Sequence, residues 1–171
     1  MCIYNLEPKK NHMKQLLKNS LFASLLAGTV CLFTGCTKED AGLSATLSYT
    51  LSGNANASQA TPSNSSNGSG TFSGTYNAST KVMTYTTTWT NLTGAPVNGG
   101  LYTGAKGEAG TSISLWTLGS GLSASGSFSS STTLNADQEY KLLSGQTYYV
   151  LGTAANVSGE IRGQITASAA Q

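Results

Sequence analysis

The segment Thr147–Ile165, TYYVLGTAANVSGEIRGQI, restricts the fold more than any other stretch. Tyr148 to Leu151 is a β-rich run, and Ala154 to Ser158 is made of small, turn-forming residues. Gly159 to Ile165 then alternates. Ile161, Gly163 and Ile165 fall on one face of a strand, and Glu160, Arg162 and Gln164 on the other. One face must meet an apolar core. The other sets a carboxylate beside a guanidinium within ion-pairing reach, read here as a strand-surface pair that fixes the last strand against a neighbouring loop.

The same period recurs upstream. Leu43, Ala45, Leu47, Tyr49 and Leu51 alternate with Ser44, Thr46, Ser48, Thr50 and Ser52, so the outward residues are hydroxyls rather than charges. Gly53 to Gly70 holds only small and polar residues around Pro62 and reads as a mobile loop with nothing to pack. Thr71–Tyr76 and Lys81–Trp89 form a hairpin across Asn77–Thr80, with Met83, Tyr85 and Trp89 on a core-facing stripe. Asn91 to Gly100 reads as a turn-rich connection. Thr111–Leu118 gives a strand with Ile113 and Leu115 inward and Trp116 opposite, and Ser125–Leu134 gives another around Phe128. One short helix follows: Asn135 caps it, Gln138 completes a capping box and Gly145 ends it, with Tyr140, Leu142 and Leu143 toward the sheets. Short strands at this spacing with Gly- and Asn-rich turns predict an all-β domain, a Greek-key sandwich or barrel.

The N-terminus has a separate logic. Lys14 and Lys18 flank the apolar run Leu21–Phe33, which is too short for a membrane span and suits a signal peptide. Thr34-Gly35-Cys36 closes it. A small-residue pair before a cysteine resembles the lipobox of bacterial lipoproteins, with Phe33 standing where leucine is usual. That resemblance implies residues 1–35 as the signal peptide (starting in truth at Met13), Cys36 as the lipid attachment, 36–42 as a tether and 43–168 as the folded domain. Thr37-Lys38-Glu39-Asp40 lacks an inner-membrane retention signal and resembles the surface-export signals of Bacteroidetes lipoproteins. The expected location is the outer membrane, with display at the cell surface. Cleavage removes Cys2 and Cys31, so the mature chain keeps no thiol pair and no disulfide. It also leaves five basic against six acidic side chains, a net of −1 where the precursor has +2. Nucleic-acid binding needs a concentrated basic face, and none is present.

Gly159-Glu-Ile-Arg-Gly-Gln-Ile165 closely resembles the closing signature of the CHRD domain, named for chordin. Leu51-Ser-Gly53, Gly70-Thr-Phe72, Leu92-Thr-Gly94, Gly104–Gly110 and Leu134–Leu143 fit the same pattern in order. The resemblance implies an immunoglobulin-like β-barrel distantly similar to copper–zinc superoxide dismutases. It also implies a His-x-His pair and a further His. By register these fall on Gly100, Tyr102 and Gly152, none of which is a histidine. The first-loop element is reduced to Gln59-Ala-Thr-Pro62.

Without imidazole or free thiol the mature chain lacks the usual zinc and copper ligands, and no cofactor is expected. Abundant serine lacks a histidine base, and Asp137 and Glu139 point to different helix faces, so no enzyme is expected. Three readings remain: a lipid-anchored binding or structural module with an envelope glycan or protein partner, a carbohydrate-binding module stacking sugars on Tyr102, Trp116, Tyr148 or Tyr149, and a degenerate dismutase-like metal scaffold.

Overall fold

The computed structural model describes residues 47–170. The signal peptide, Cys36, the tether and the beginning of the first alternating run lie outside the described residues. Eight antiparallel strands form one sheet: β1 (Ser48–Asn56), β2 (Ser69–Asn77), β3 (Val82–Thr90), β4 (Pro96–Thr103), β5 (Ser112–Leu115), β6 (Gly126–Thr133), β7 (Thr147–Thr153) and β8 (Ile161–Ala169). Their order is β5-β4-β7-β8-β1-β2-β3-β6. After β3 the chain leaves the β1–β2–β3 meander to lay down β4 and β5. It returns as β6 beside β3, then crosses back as β7 to lie between β4 and β8. These crossings make a Greek key, and the all-β expectation with one short helix holds.

The sheet curls until its two edges almost meet. Trp116, just past β5, stacks on Phe128 of β6 with ring centroids 5.0 Å apart. Its indole N–H also donates to the Tyr85 hydroxyl at 2.8 Å. The inward residues of every strand fill the interior: Leu51, Phe72, Tyr76, Met83, Tyr85, Trp89, Leu101, Tyr149, Leu151, Ile161 and Ile165 are buried. The Met83–Tyr85–Trp89 stripe is therefore core, as its spacing predicts.

Four local expectations change. Asn91–Gly100 is not only a connection, because β4 begins at Pro96 and pairs with both β5 and β7. Its glycines are sheet residues required by close packing: a Cβ on Gly99 would stand 2.6 Å from the Trp116 ring. At the end of β5 the expected faces change: Ile113 packs against the core, but Leu115 is 67% exposed and Trp116 8% exposed. The register shift between Leu101 and Tyr102 interrupts the pairing that period-two counting assumes. The helix α1 (Ala136–Leu143) has the capping box of Asn135 and Gln138, and Gly145 follows it at φ +70°. It buries Leu142 alone, while Tyr140 and Leu143 are exposed.

The fourth change concerns Gly53–Gly70, which packs against the domain. β1 runs on to Asn56 and a single 3-10 turn (Ala57–Gln59) follows, capped by the Asn56 side chain. Ala55, Ala57 and Ala60 are buried. Small side chains let the backbone press against β8, which polarity alone does not reveal.

Trp116 closes the seam and Leu115 faces water, so the two neighbours should respond oppositely to truncation. Trp116→Ala should destabilise the domain by about 3–5 kcal/mol in urea unfolding, and Leu115→Ser by no more than about 0.5 kcal/mol. Equal losses would mean the seam is not closed by the indole.

Candidate functional site

β8, β7 beside it and β4 beyond β7 are covered on both faces. Their inner face meets the core, and their outer face lies under the loops at 57–66, 104–110 and 153–159. This is where the closing signature sits. Glu160, immediately before β8, is fully buried, and Arg162 is 2% exposed.

The two side chains do not pair with each other. The Glu160 carboxylate accepts hydrogen bonds from the hydroxyls of Ser66, Thr93 and Thr153 and from the Thr93 backbone N–H at 2.8 Å. Burial works to raise its pKa, but these donors outweigh it and hold the carboxyl below the usual range. The Arg162 guanidinium donates through Nη1 to Thr61 Oγ1 at 2.9 Å and to the Glu108 carbonyl at 2.8 Å, and through Nη2 to the Ala105 carbonyl at 2.7 Å. Its Cζ lies 3.6 Å from the centroid of the Tyr148 ring. Gln164 donates to the carbonyls of Gly104 and Gly145. The expected surface ion pair is thus replaced by two separate buried networks. The anchoring of the last strand to neighbouring loops stands, carried by Arg162 and Gln164 rather than by an ion pair. Strict alternation does not carry through Glu160, which precedes β8 and reaches Thr153 on the side of Leu151 and Tyr149, and it does not show that loops cover the Arg162 face.

A cleft of about 440 Å³ opens beside this network, walled by Thr61, Asn98, Tyr102, Tyr148, Val150 and Arg162 together with loop residues Gly110 and Val157–Gly159. The four aromatic residues singled out from sequence divide. Tyr149 is fully buried under Phe72 in the core, and Trp116 closes the seam. Tyr148 is 5% exposed, sandwiched between Arg162 and Tyr102, whose ring stacks on it with centroids 5.5 Å apart. Only Tyr102 stays half-buried at the cleft wall. A stacking platform built from all four does not form.

The three positions where the resemblance places histidines do come together. Asn98 pairs with Gly152, Gly100 with Val150 and Tyr102 with Tyr148, so residues 100, 102 and 152 share one face of adjacent strands. Gly, Tyr and Gly offer no imidazole, and the residues present do not fit a zinc or copper ion. Nor is there room to restore one. A Cβ at position 152 would stand 2.4 Å from Asn98 Oδ1 and 2.8 Å from the Val157 carbonyl, and one at position 100 would stand 2.8 Å from the Ser114 carbonyl. Asn98 holds its place by donating to that Val157 carbonyl at 2.9 Å. Thr61, Asn98 and the Glu160 partners Ser66, Thr93 and Thr153 were not foreseen. Hydroxyls and amides are too common in this chain for any of them to stand out.

A family model described as the CHRD domain matches residues 47–165. No curated protein and no solved structure matches the chain.

Two carboxyls govern the acid side of stability. Glu139 is held low first by its hydrogen bond from Lys81, 2.7 Å away, and Glu160 by its ring of donors. Both are more acidic folded than unfolded. Their stabilisation is complete above the unfolded carboxyl pKa of about 4.3 and is lost as pH falls through the lower folded values. Glu160→Gln places an amide N–H₂ against donors and should cost about 3 kcal/mol at neutral pH. Its unfolding free energy should also fall less on acidification than that of the unaltered chain. A parallel decline in both, followed by urea titrations from pH 7 to 3, would remove Glu160 from this role.

Proposed function

The chain belongs to the CHRD-domain family, and on that premise we propose that it is a non-catalytic, lipid-anchored binding or structural module of the cell envelope. CHRD domains are in general a non-catalytic family. The observation that carries the reading is the use made of the signature. Glu160, Arg162 and Gln164, the polar groups most concentrated in one element, are engaged in holding loops to β8. A group fixed by several hydrogen bonds to its own scaffold is poorly placed to exchange protons with a substrate.

Anchoring is supported by the sequence alone: the basic flank, the short apolar run and the small-residue pair before Cys36. Cys36 precedes the first described residue, Leu47, by enough chain to hold a folded domain clear of a bilayer. The outer membrane, facing outward, is the location that Thr37–Asp40 favours. The metal-scaffold alternative has no support in the residues at 100, 102 and 152. The carbohydrate alternative keeps one specific support, the half-buried Tyr102 beside Asn98 on the cleft wall.

Expression of the full chain in a Gram-negative host fed labelled palmitate tests the anchor directly. The wild-type chain should take up label and sediment with the outer membrane. Cys36→Ser should lose both properties and leave a soluble, folded product. Labelling that survives the substitution would sink the proposal.

A further inference from the structure

The guanidinium of Arg162 presents an imbalance that its structural role does not remove. Arginine carries five N–H donors and stays charged in proteins. Three are used, on two backbone carbonyls and one hydroxyl. Among the described residues the remaining Nη2–H and the Nε–H have no acceptor, and no carboxylate lies within ion-pairing distance. Lys81–Glu139, between the β2–β3 turn and α1, is the ion pair those residues contain. A guanidinium 2% exposed, faced by neutral dipoles and an aromatic ring, carries a charge that no anion among the described residues balances.

That charge forms part of the wall of the cleft. The cleft volume falls within the range of small-molecule sites, about 300–1,000 Å³. Its other walls are mixed: the half-buried ring of Tyr102, the apolar Val150 and Val157, the Asn98 amide and the hydroxyls of Thr61 and Ser158. Asn98 spends one N–H on Val157, leaving its second N–H and its Oδ1 for other partners. An aromatic face beside amide and hydroxyl groups suits a sugar ring, and a buried guanidinium suits a carboxylate.

We propose that the cleft beside β4, β7 and β8 binds a sugar acid, with its carboxylate on Arg162 and its ring against Tyr102. The inference deepens the binding role proposed above. It does not depend on the lipid anchor, which palmitate labelling tests separately.

The test is a calorimetric titration of the full chain, in detergent, with glucuronate, its methyl ester, glucose and acetate. Glucuronate should bind saturably. The ester and glucose, which lack the charge, should bind roughly tenfold more weakly or worse, the loss expected for one charge-assisted hydrogen-bonded pair. Acetate should also be weaker, since it lacks the ring. Tyr102→Ala should weaken glucuronate binding by about tenfold, with the melting temperature lowered only by the loss of its stack on Tyr148 and the domain still folded. Arg162→Gln should abolish the preference for acid over ester. If that variant does not fold, thermal stabilisation of the wild-type chain by glucuronate but not by the ester decides the point. Equal affinities for acid and ester, acetate binding as tightly as glucuronate, or no saturable heat with glucuronate would each overturn the proposal.

Discussion

Glu160 and Arg162 are two buried charges that must each be satisfied, and the loops of this domain are arranged around that requirement. An ion withdrawn from water without partners destabilises a fold by several kcal/mol. Here the carboxylate is met by one N–H and three hydroxyls, drawn from the loop after β1, the turn after β3 and the end of β7. The guanidinium is met by the 57–62 loop and the 104–110 loop. Gln164 adds the end of α1 through the Gly145 carbonyl. A single strand edge-to-edge with β1 and β7 thus gathers most of the irregular chain. Pairing the two charges directly would have left those loops without a hold.

The opposite part of the sheet solves a different problem. On β1, β2, β3 and β6 the outward face carries rows of Ser and Thr. They bridge neighbouring strands as Ser52–Thr166, Ser69–Thr90, Thr71–Thr88 and Thr86–Ser129 hydroxyl pairs. Each such pair adds on the order of 0.2–1 kcal/mol, without the desolvation that buried charge demands. The solvated strands are made of hydroxyls rather than charges, and the buried charges Glu160 and Arg162 are placed where loops meet β8.

Much of this could be read from the residues. Period-two alternation locates β1, β2, β3 and β6, and the Asn135–Gln138 spacing locates α1, because both signals come from backbone geometry within a few residues. β4 escaped because Pro96, Asn98, Gly99 and Gly100 carry the composition of a turn. The smallness of Gly99 is imposed by Trp116 and that of Gly100 by the β5 backbone at Ser114, and both reach them only through the fold. The exchange of Leu115 for Trp116 at the core has the same origin, in a register shift no local pattern records. The signature strand is the instructive case. Alternation assigned Glu160, Arg162 and Gln164 to one face, but Glu160 precedes β8 and reaches Thr153, on the side of Leu151 and Tyr149, while Arg162 lies opposite Val150. Whether the face is wet depends on loops that small residues such as Ala57, Ala60 and Gly68 allow to approach, and hydropathy gives such residues no weight.

The glycines at 100 and 152 bear on the chemistry of the cleft as well as its shape. With no side chain at either position, β4 and β7 leave their shared outer face to Asn98, Tyr102, Tyr148 and Val150. Asn98 moves into the space beside Gly152 and is fixed there by Val157. Tyr102 stacks on Tyr148, and Tyr148 in turn lies over the Arg162 guanidinium. The result is a layered stack, ring on ring on cation, that shields the charge from bulk water on one side. Shielding lowers the local dielectric and strengthens whatever electrostatic interaction the open side allows. The wall around residues 98, 100, 102 and 152 is neutral and aromatic, and the charged side chain that lines the cleft is Arg162. Positive potential in a partly dry cleft selects for anions.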